Sequence, residues 1–133
     1  MDVHPGRRKL ISNHPTLVLR DGRPWIAIGT PGGHTIGQTV PQMILNMLEF
    51  GMPVEQAIAA PRLSFDAETK VLSVEPQIPQ ESRAALERMG HTVRVARAIG
   101  NAHGLQIEYD GSGAPTRFRG GADPRGQGTA AGY

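Results

Sequence analysis

Two β-rich runs on either side of an Asp-Gly dipeptide, followed by a Pro-Gly-Gly corner, restrict the fold of this chain more than any other feature. The runs are residues 16–20 (TLVLR) and 25–29 (WIAIG), and Asp21-Gly22 between them is the strongest short hairpin signal available. They predict an antiparallel strand pair. The second run continues into residues 30–35 (TPGGHT), where a strand that turns into a helix brings free backbone N–H groups together. Such a corner can hold a phosphate, a carboxylate or an oxyanion.

A helix is predicted after this corner, because apolar residues recur there at i, i+3, i+4, i+7 and i+8. These residues are Val40, Met43, Ile44, Met47 and Leu48. Since proline lacks an N–H, Pro41 is expected in the first turn, and this puts the helix start near Gln38 to Val40. Gly51 is expected to end the helix in a left-handed conformation.

The rest of the chain predicts short helices and strands. Two helices are expected, one at residues 53–60 and one at residues 80–90. The first should end before Pro61, because a residue that precedes proline avoids the α conformation. The apolar face of the second helix consists of Ala85, Leu86 and Met89. Strands are expected at residues 62–65, 71–75, 92–96, 104–109 and 116–120. No internal repeat or linker divides the 133 residues, which are interpreted as a single unit of mixed α and β structure.

Composition argues against several classes of function. The net charge is +2, the arginines are scattered among acidic residues, and only 5% of residues are aromatic, so nucleic-acid binding is not expected. The chain has no cysteine, and its five histidines lack metal-ligand spacing, so neither a metal site nor a cofactor is expected. No stretch reaches about 18 consecutive apolar residues, and the first ten residues lack the apolar core of a signal peptide.

Several motifs occur in a characteristic order along the chain. They are Pro15-Thr16 before the hairpin, P-G-G at 31–33, F-G-M at 50–52, A-P-R at 60–62, and A-D-P-R to A-G-Y at 122–133. From about residue 7 to residue 133, this order resembles the C-terminal part of the small subunit of γ-glutamyltranspeptidases, which are N-terminal-nucleophile hydrolases. The resemblance implies an α+β chain that forms the C-terminal portion of an αββα four-layer sandwich. Residues 1–133 would then be one partial domain.

The resemblance also implies a role for the glycine corner. In that family the corner glycines donate backbone N–H groups to the oxyanion that forms when a threonine attacks the γ-glutamyl carbonyl, and Gly32 and Gly33 match them. The physics agrees, because preorganised donors stabilise an oxyanion strongly and glycine leaves room for the substrate. The alternative is a strand-to-helix bend in which the two glycines only make the turn. His34 follows the pair where the family often has serine, and no general-base role is expected for it.

A second part of the site is implied just before the first strand. The family usually carries two adjacent serines there, which help to bind the α-carboxylate of the glutamyl group. Ser12 matches the second serine, Ile11 stands in place of the first, and Asn13 could replace the missing donor. A lost hydroxyl in a carboxylate site can change specificity strongly. The alternative is an ordinary turn, since Ser, Asn and Pro are turn residues.

The family's nucleophile is a threonine freed by self-cleavage of a precursor, several dozen residues upstream of the segment that matches residues 11–16. None of the threonines in the motifs is expected to replace it; these are Thr16, Thr30, Thr35 and Thr39. The chain is therefore expected to be a fragment of a γ-glutamyltranspeptidase-like enzyme that acts on γ-glutamyl compounds such as glutathione. The fragment alone is expected to be inactive. The alternative is a catalytically inactive remnant, a binding or structural module that keeps the fold but performs no chemistry. Family resemblance implies a periplasmic or extracellular location.

The same reasoning implies a protein partner. The expected partner is the missing upstream segment or the large subunit of the same enzyme. Without it, an unpaired sheet edge should make the chain self-associate. The apolar side chains expected to lose cover are Leu17, Leu19, Ile26 and Ile28.

Overall fold

A computed structural model describes residues 5–6 and 14–132. This part of the chain contains both strands and helices, as predicted. The strands are β1 (Thr16–Arg20), β2 (Arg23–Gly29), β3 (Leu63–Asp66), β4 (Val71–Val74), β5 (Thr92–Val95), β6 (His103–Tyr109) and β7 (Pro115–Ala122). The helices are α1 (Ile36–Leu48), α2 (Val54–Ala59) and α3 (Gln80–Arg88). Ser12 and Asn13 lie outside the described residues.

The strands form two sheets. The larger sheet has the order β1-β2-β6-β7 and is antiparallel throughout, and the smaller has the order β3-β4-β5, with β4 and β5 parallel. The predicted hairpin is confirmed: Asp21 and Gly22 both have positive φ angles, of 52° and 75°, as a tight two-residue turn requires. The α+β class is confirmed as well.

Helices α1 and α2 cover one face of the larger sheet. Ile26 and Ile28 point to this face and pack with Met43, Val54 and Ile58 in the buried core. The expectation that Ile26 and Ile28 would lose cover is therefore wrong, because the chain's own helices bury them. None of the helices in the described residues is long and apolar enough to cross a membrane.

The other face of the larger sheet is partly exposed. Leu17, Ala27 and Leu105 are neighbours in register across β1, β2 and β6, and alternation along a strand places them on the face opposite Ile26 and Ile28. Leu17 is 60% exposed and Phe118, on the same face of β7, is 61% exposed. Leu19 is exposed too, so the prediction of uncovered apolar side chains holds for Leu17 and Leu19.

The start of α1 differs from the prediction. The helix begins at Ile36, directly after a single 3-10 turn at Gly33–Thr35, so Pro41 lies in the second turn and not the first. A proline at this position removes the hydrogen bond to the carbonyl four residues earlier. That residue is Gly37, which is exposed, so water can solvate its carbonyl. The end was predicted correctly, since Gly51 has a φ of 64°.

The apolar face of α3 is shorter than predicted. Ala85 and Leu86 are half-buried, but Met89 is 75% exposed. The helix ends at Arg88, so Met89 lies just beyond its last residue.

Two glutamine side chains of α1 bind the edge of the smaller sheet. Gln38 and Gln42 lie one turn apart, on the same side of the helix. The Gln38 side-chain amide donates to the Phe65 carbonyl (2.9 Å) and accepts from the Phe65 N–H (2.8 Å). Gln42 does the same with Leu63, at 2.8 and 3.1 Å. These amides occupy the free edge of β3 and fix the smaller sheet to the helix that follows the glycine corner.

Candidate active-site corner

The conformation of the corner favours glycine at both positions. Gly32 has a φ of 145° and Gly33 a φ of 58°, values that L side chains rarely adopt. A Cβ atom on Gly32 would also lie 2.5 Å from the Thr35 hydroxyl oxygen, whereas one on Gly33 would meet nothing within 4 Å. Thr35 closes the turn, because its N–H and its hydroxyl both donate to the Gly32 carbonyl, at 3.2 and 3.1 Å.

Among the described residues, the amide groups of the corner have no hydrogen-bond acceptor. Within residues 14–132, neither the N–H of Gly32 nor that of Gly33 donates a hydrogen bond to the protein, and both glycines are exposed. They precede α1, whose N-terminal end carries a partial positive charge. The corner can therefore donate to an anion without breaking a hydrogen bond to any described residue.

A cleft of about 430 Å³ adjoins the corner. It is lined by His34, Thr35, Gln38, Ser64, Phe65, Asp66, Ala67 and Glu68. Hydrogen bonds from the Thr69 side chain, and from the N–H groups of Thr69 and Glu68, lower the pKa of Asp66. Asp66 is therefore ionised at neutral pH, and the far wall of the cleft is acidic.

Four charged residues form a cluster in which all but Arg125 are fully buried: Arg62, Glu75, Asp123 and Arg125. Arg62 and Asp123 are at most 1% exposed and pair at 2.6 Å between Nη2 and Oδ2. Arg125 donates to Asp123 Oδ1 (3.0 Å) and to both carboxylate oxygens of Glu75. Both arginines belong to the A-P-R and A-D-P-R motifs, to which the sequence analysis assigned no function. The sequence signal for this cluster was the presence of a charged side chain among the small residues of each motif.

Both carboxylates of the charge cluster stay ionised. Burial raises the pKa of Glu75, but hydrogen bonds from Arg125 and from the N–H groups of Arg62 and Ile99 lower it further, to below the ordinary range. Burial likewise raises the pKa of Asp123. Hydrogen bonds from the N–H groups of Ala102 and Arg125 and from the two arginine side chains outweigh this effect, so the pKa is lowered overall.

This arrangement predicts acid sensitivity. A carboxylate whose pKa is lower in the folded state stabilises the fold fully above its unfolded pKa, and this stabilisation is lost as the pH falls through the folded value. The melting temperature of the chain should therefore be constant from pH 7 to about 5.5. It should decrease once the pH drops below the ordinary pKa values, which are 4.5 for Glu75 and 3.8 for Asp123. Differential scanning fluorimetry from pH 7 to 3 measures this. A melting temperature unchanged at pH 3 would contradict it.

Gly32 and Gly33 lie at the corner between β2 and α1, and His34 lies beside them on the cleft. The fold is that of an N-terminal-nucleophile hydrolase. A crystal structure of γ-glutamyltranspeptidase from Helicobacter pylori superposes with a TM-score of 0.86 and 29% identity, covering 93% of this chain and 66% of that one. The chain belongs to the γ-glutamyltranspeptidase family, whose sequence model matches residues 2–133.

Curated relatives agree with this assignment. The glutathione hydrolase proenzyme of Escherichia coli (strain K12) is 34% identical over 123 residues, which are 92% of this chain and 20% of the relative. That of Bacillus subtilis (strain 168) is 32% identical over 132 residues, 98% of this chain and 22% of the relative. The chain thus spans about a fifth of the length of these relatives.

Proposed function

We propose that this chain supplies the oxyanion-binding corner of a γ-glutamyl hydrolase or transferase that acts on glutathione-like substrates. The observation that carries the proposal is the pair of N–H groups on Gly32 and Gly33, which donate to no described residue and are held at a strand-to-helix corner in a chain of this family. The nucleophile in this proposal is an N-terminal threonine from another segment of the enzyme.

The proposed reaction passes through a tetrahedral intermediate. The threonine hydroxyl attacks the γ-glutamyl carbonyl, and the threonine's own α-amino group accepts the proton. The negative charge on the former carbonyl oxygen is stabilised by the N–H groups of Gly32 and Gly33. The α-ammonium group returns this proton to the departing amine, and its expulsion leaves a γ-glutamyl ester, which water or a second amine then attacks. This sequence needs no base from His34.

Ser12 and Asn13 are proposed to bind the α-carboxylate of the glutamyl group. Their side chains can donate hydrogen bonds to a carboxylate. The proposal for these two residues rests on their position in the sequence, directly before β1. Ile11 removes one hydroxyl relative to the usual family pattern, so weaker selection for the glutamyl group is expected.

The partner in this proposal is the remainder of the same enzyme, including its large subunit. It would cover the apolar face that carries Leu17, Ala27, Leu105 and Phe118. In an αββα sandwich this face of a sheet packs against a second sheet. An uncovered face of this kind favours association between copies of the chain.

The test combines this chain with the E. coli proenzyme shortened by its matching C-terminal region, here called the assembled enzyme. Alone, the chain should sediment as dimers or larger species and leave a chromogenic γ-glutamyl anilide intact. With the shortened proenzyme it should copurify and restore turnover. The matched control is the E. coli region itself, expressed separately.

Two outcomes would contradict the proposal. One is turnover by the chain alone that is abolished by replacing a threonine within it. The other is failure to restore turnover where the E. coli region succeeds; if the chain still copurified, the inactive binding or structural remnant would be favoured.

A further inference from the structure

Residues 99–102, here called the buttress loop, are bound to the charge cluster by three hydrogen bonds, each between the backbone of the loop and a side chain of the cluster. The Ile99 N–H donates to Glu75 Oε1 (2.8 Å), and the Ile99 carbonyl accepts from Arg62 Nη1 (2.8 Å). The Ala102 N–H donates to Asp123 Oδ2 (2.7 Å). Bonds to charged groups are stronger than neutral ones, so both ends of this loop are fixed in place.

The middle of the buttress loop contacts the glycine corner. The Asn101 N–H donates to the Thr30 hydroxyl oxygen (2.9 Å), and that hydroxyl donates in turn to the Pro31 carbonyl (2.8 Å). Gly100 packs closely between the side chains of Thr30 and Arg62, since a Cβ atom there would lie 2.9 Å from Thr30 Oγ1 and 3.1 Å from Arg62 Nη1. The Thr30 hydroxyl therefore links the buttress loop to the corner.

The bond to the Pro31 carbonyl controls one oxyanion donor. The Pro31 C=O and the Gly32 N–H belong to the same peptide unit, which is planar. Fixing the direction of the carbonyl therefore fixes the direction of the N–H. A donor stabilises a transition state only when it is already aimed at the developing charge, and small misplacements are costly.

We infer that Thr30 is a positioning residue for the oxyanion corner, with Arg62 acting behind it through the buttress loop. Thr30 uses its hydroxyl as an acceptor towards Asn101 and as a donor towards Pro31, and Arg62 holds the loop that makes the first of these bonds. The effect on the reaction rests on the proposed function, whereas the mechanical link does not.

The first test needs no activity. Thr30→Val removes the hydroxyl at nearly constant shape, and Thr30→Ser keeps it, so the two variants form a matched pair. In the full chain, Thr30→Val should speed amide hydrogen exchange of Asn101 about tenfold and move the Gly32 amide resonance in nitrogen-15 NMR spectra. Thr30→Ser should change neither, and the Leu45 amide in α1 should be unchanged in both variants.

Equal effects of the two substitutions, or an unmoved Gly32 resonance in Thr30→Val, would overturn the inference. If Thr30→Val does not fold, Gly100→Ala tests the same contact from the loop side and should move the same resonance.

The second test uses the assembled enzyme. Thr30→Val should lower kcat about tenfold with KM nearly unchanged, and Thr30→Ser should restore kcat. If a Gly33 variant lowers kcat and Thr30→Val does not, the inference is overturned while the proposed function stands. If neither substitution changes kcat, the proposed function fails, and the NMR result alone decides whether the mechanical link exists.

Discussion

Replacement of Gly33 by valine in the assembled enzyme is expected to lower kcat by roughly 10²–10³-fold, with a much smaller change in KM. Gly33 has a φ of 58°, which valine adopts only with strain, so the peptide should rotate and turn its N–H away from the oxyanion. The lost interaction exists in the transition state and hardly at all in the bound substrate, which is why kcat carries the effect. Steady-state kinetics with a γ-glutamyl anilide measures both constants.

Gly51 offers a matched control for this substitution. It has a φ of 64°, and, as at Gly33, a Cβ atom there would meet nothing within 4 Å. Gly51→Val should therefore impose a similar backbone strain at the far end of α1, without a change in kcat. Near-normal kcat in a folded Gly33→Val enzyme would show that the corner only makes the bend. Equal losses of kcat in both variants would assign the effect to stability.

The sequence predicts the corner well because its signals are local. A strand, two glycines and a helical stripe follow one another within about twenty residues, so their order alone places Gly32 and Gly33 at a strand-to-helix junction. The hairpin at Asp21 is predictable for the same reason. The start of α1 was misplaced because the rule for Pro41 considers one missing bond and ignores whether Gly37 is solvated.

The charge cluster could not be predicted in the same way. Arg62 and Asp123 are 61 residues apart in sequence, and Glu75 and Arg125 are 50 apart. No periodicity or spacing indicates that these residues meet, and composition rules place charged residues on the surface. The motifs marked the arginines as unusual, but only the folded chain shows that Arg62 supports the loop beneath Thr30.

Asp123→Ala is expected to destabilise the chain by about 3–5 kcal/mol, because it leaves buried Arg62 without its carboxylate. The substitution also removes the acceptor for the Ala102 N–H, so the buttress loop loses one of its ties to the charge cluster. Urea denaturation followed by circular dichroism measures the change in unfolding free energy. Glu108→Ala is the control: it removes a carboxylate that is 38% exposed and pairs with Arg119 at 2.6 Å, and it should cause only a small change. If the two substitutions had similar small effects, the charge cluster would contribute little to stability, and the support of the corner by Arg62 would lose its physical basis.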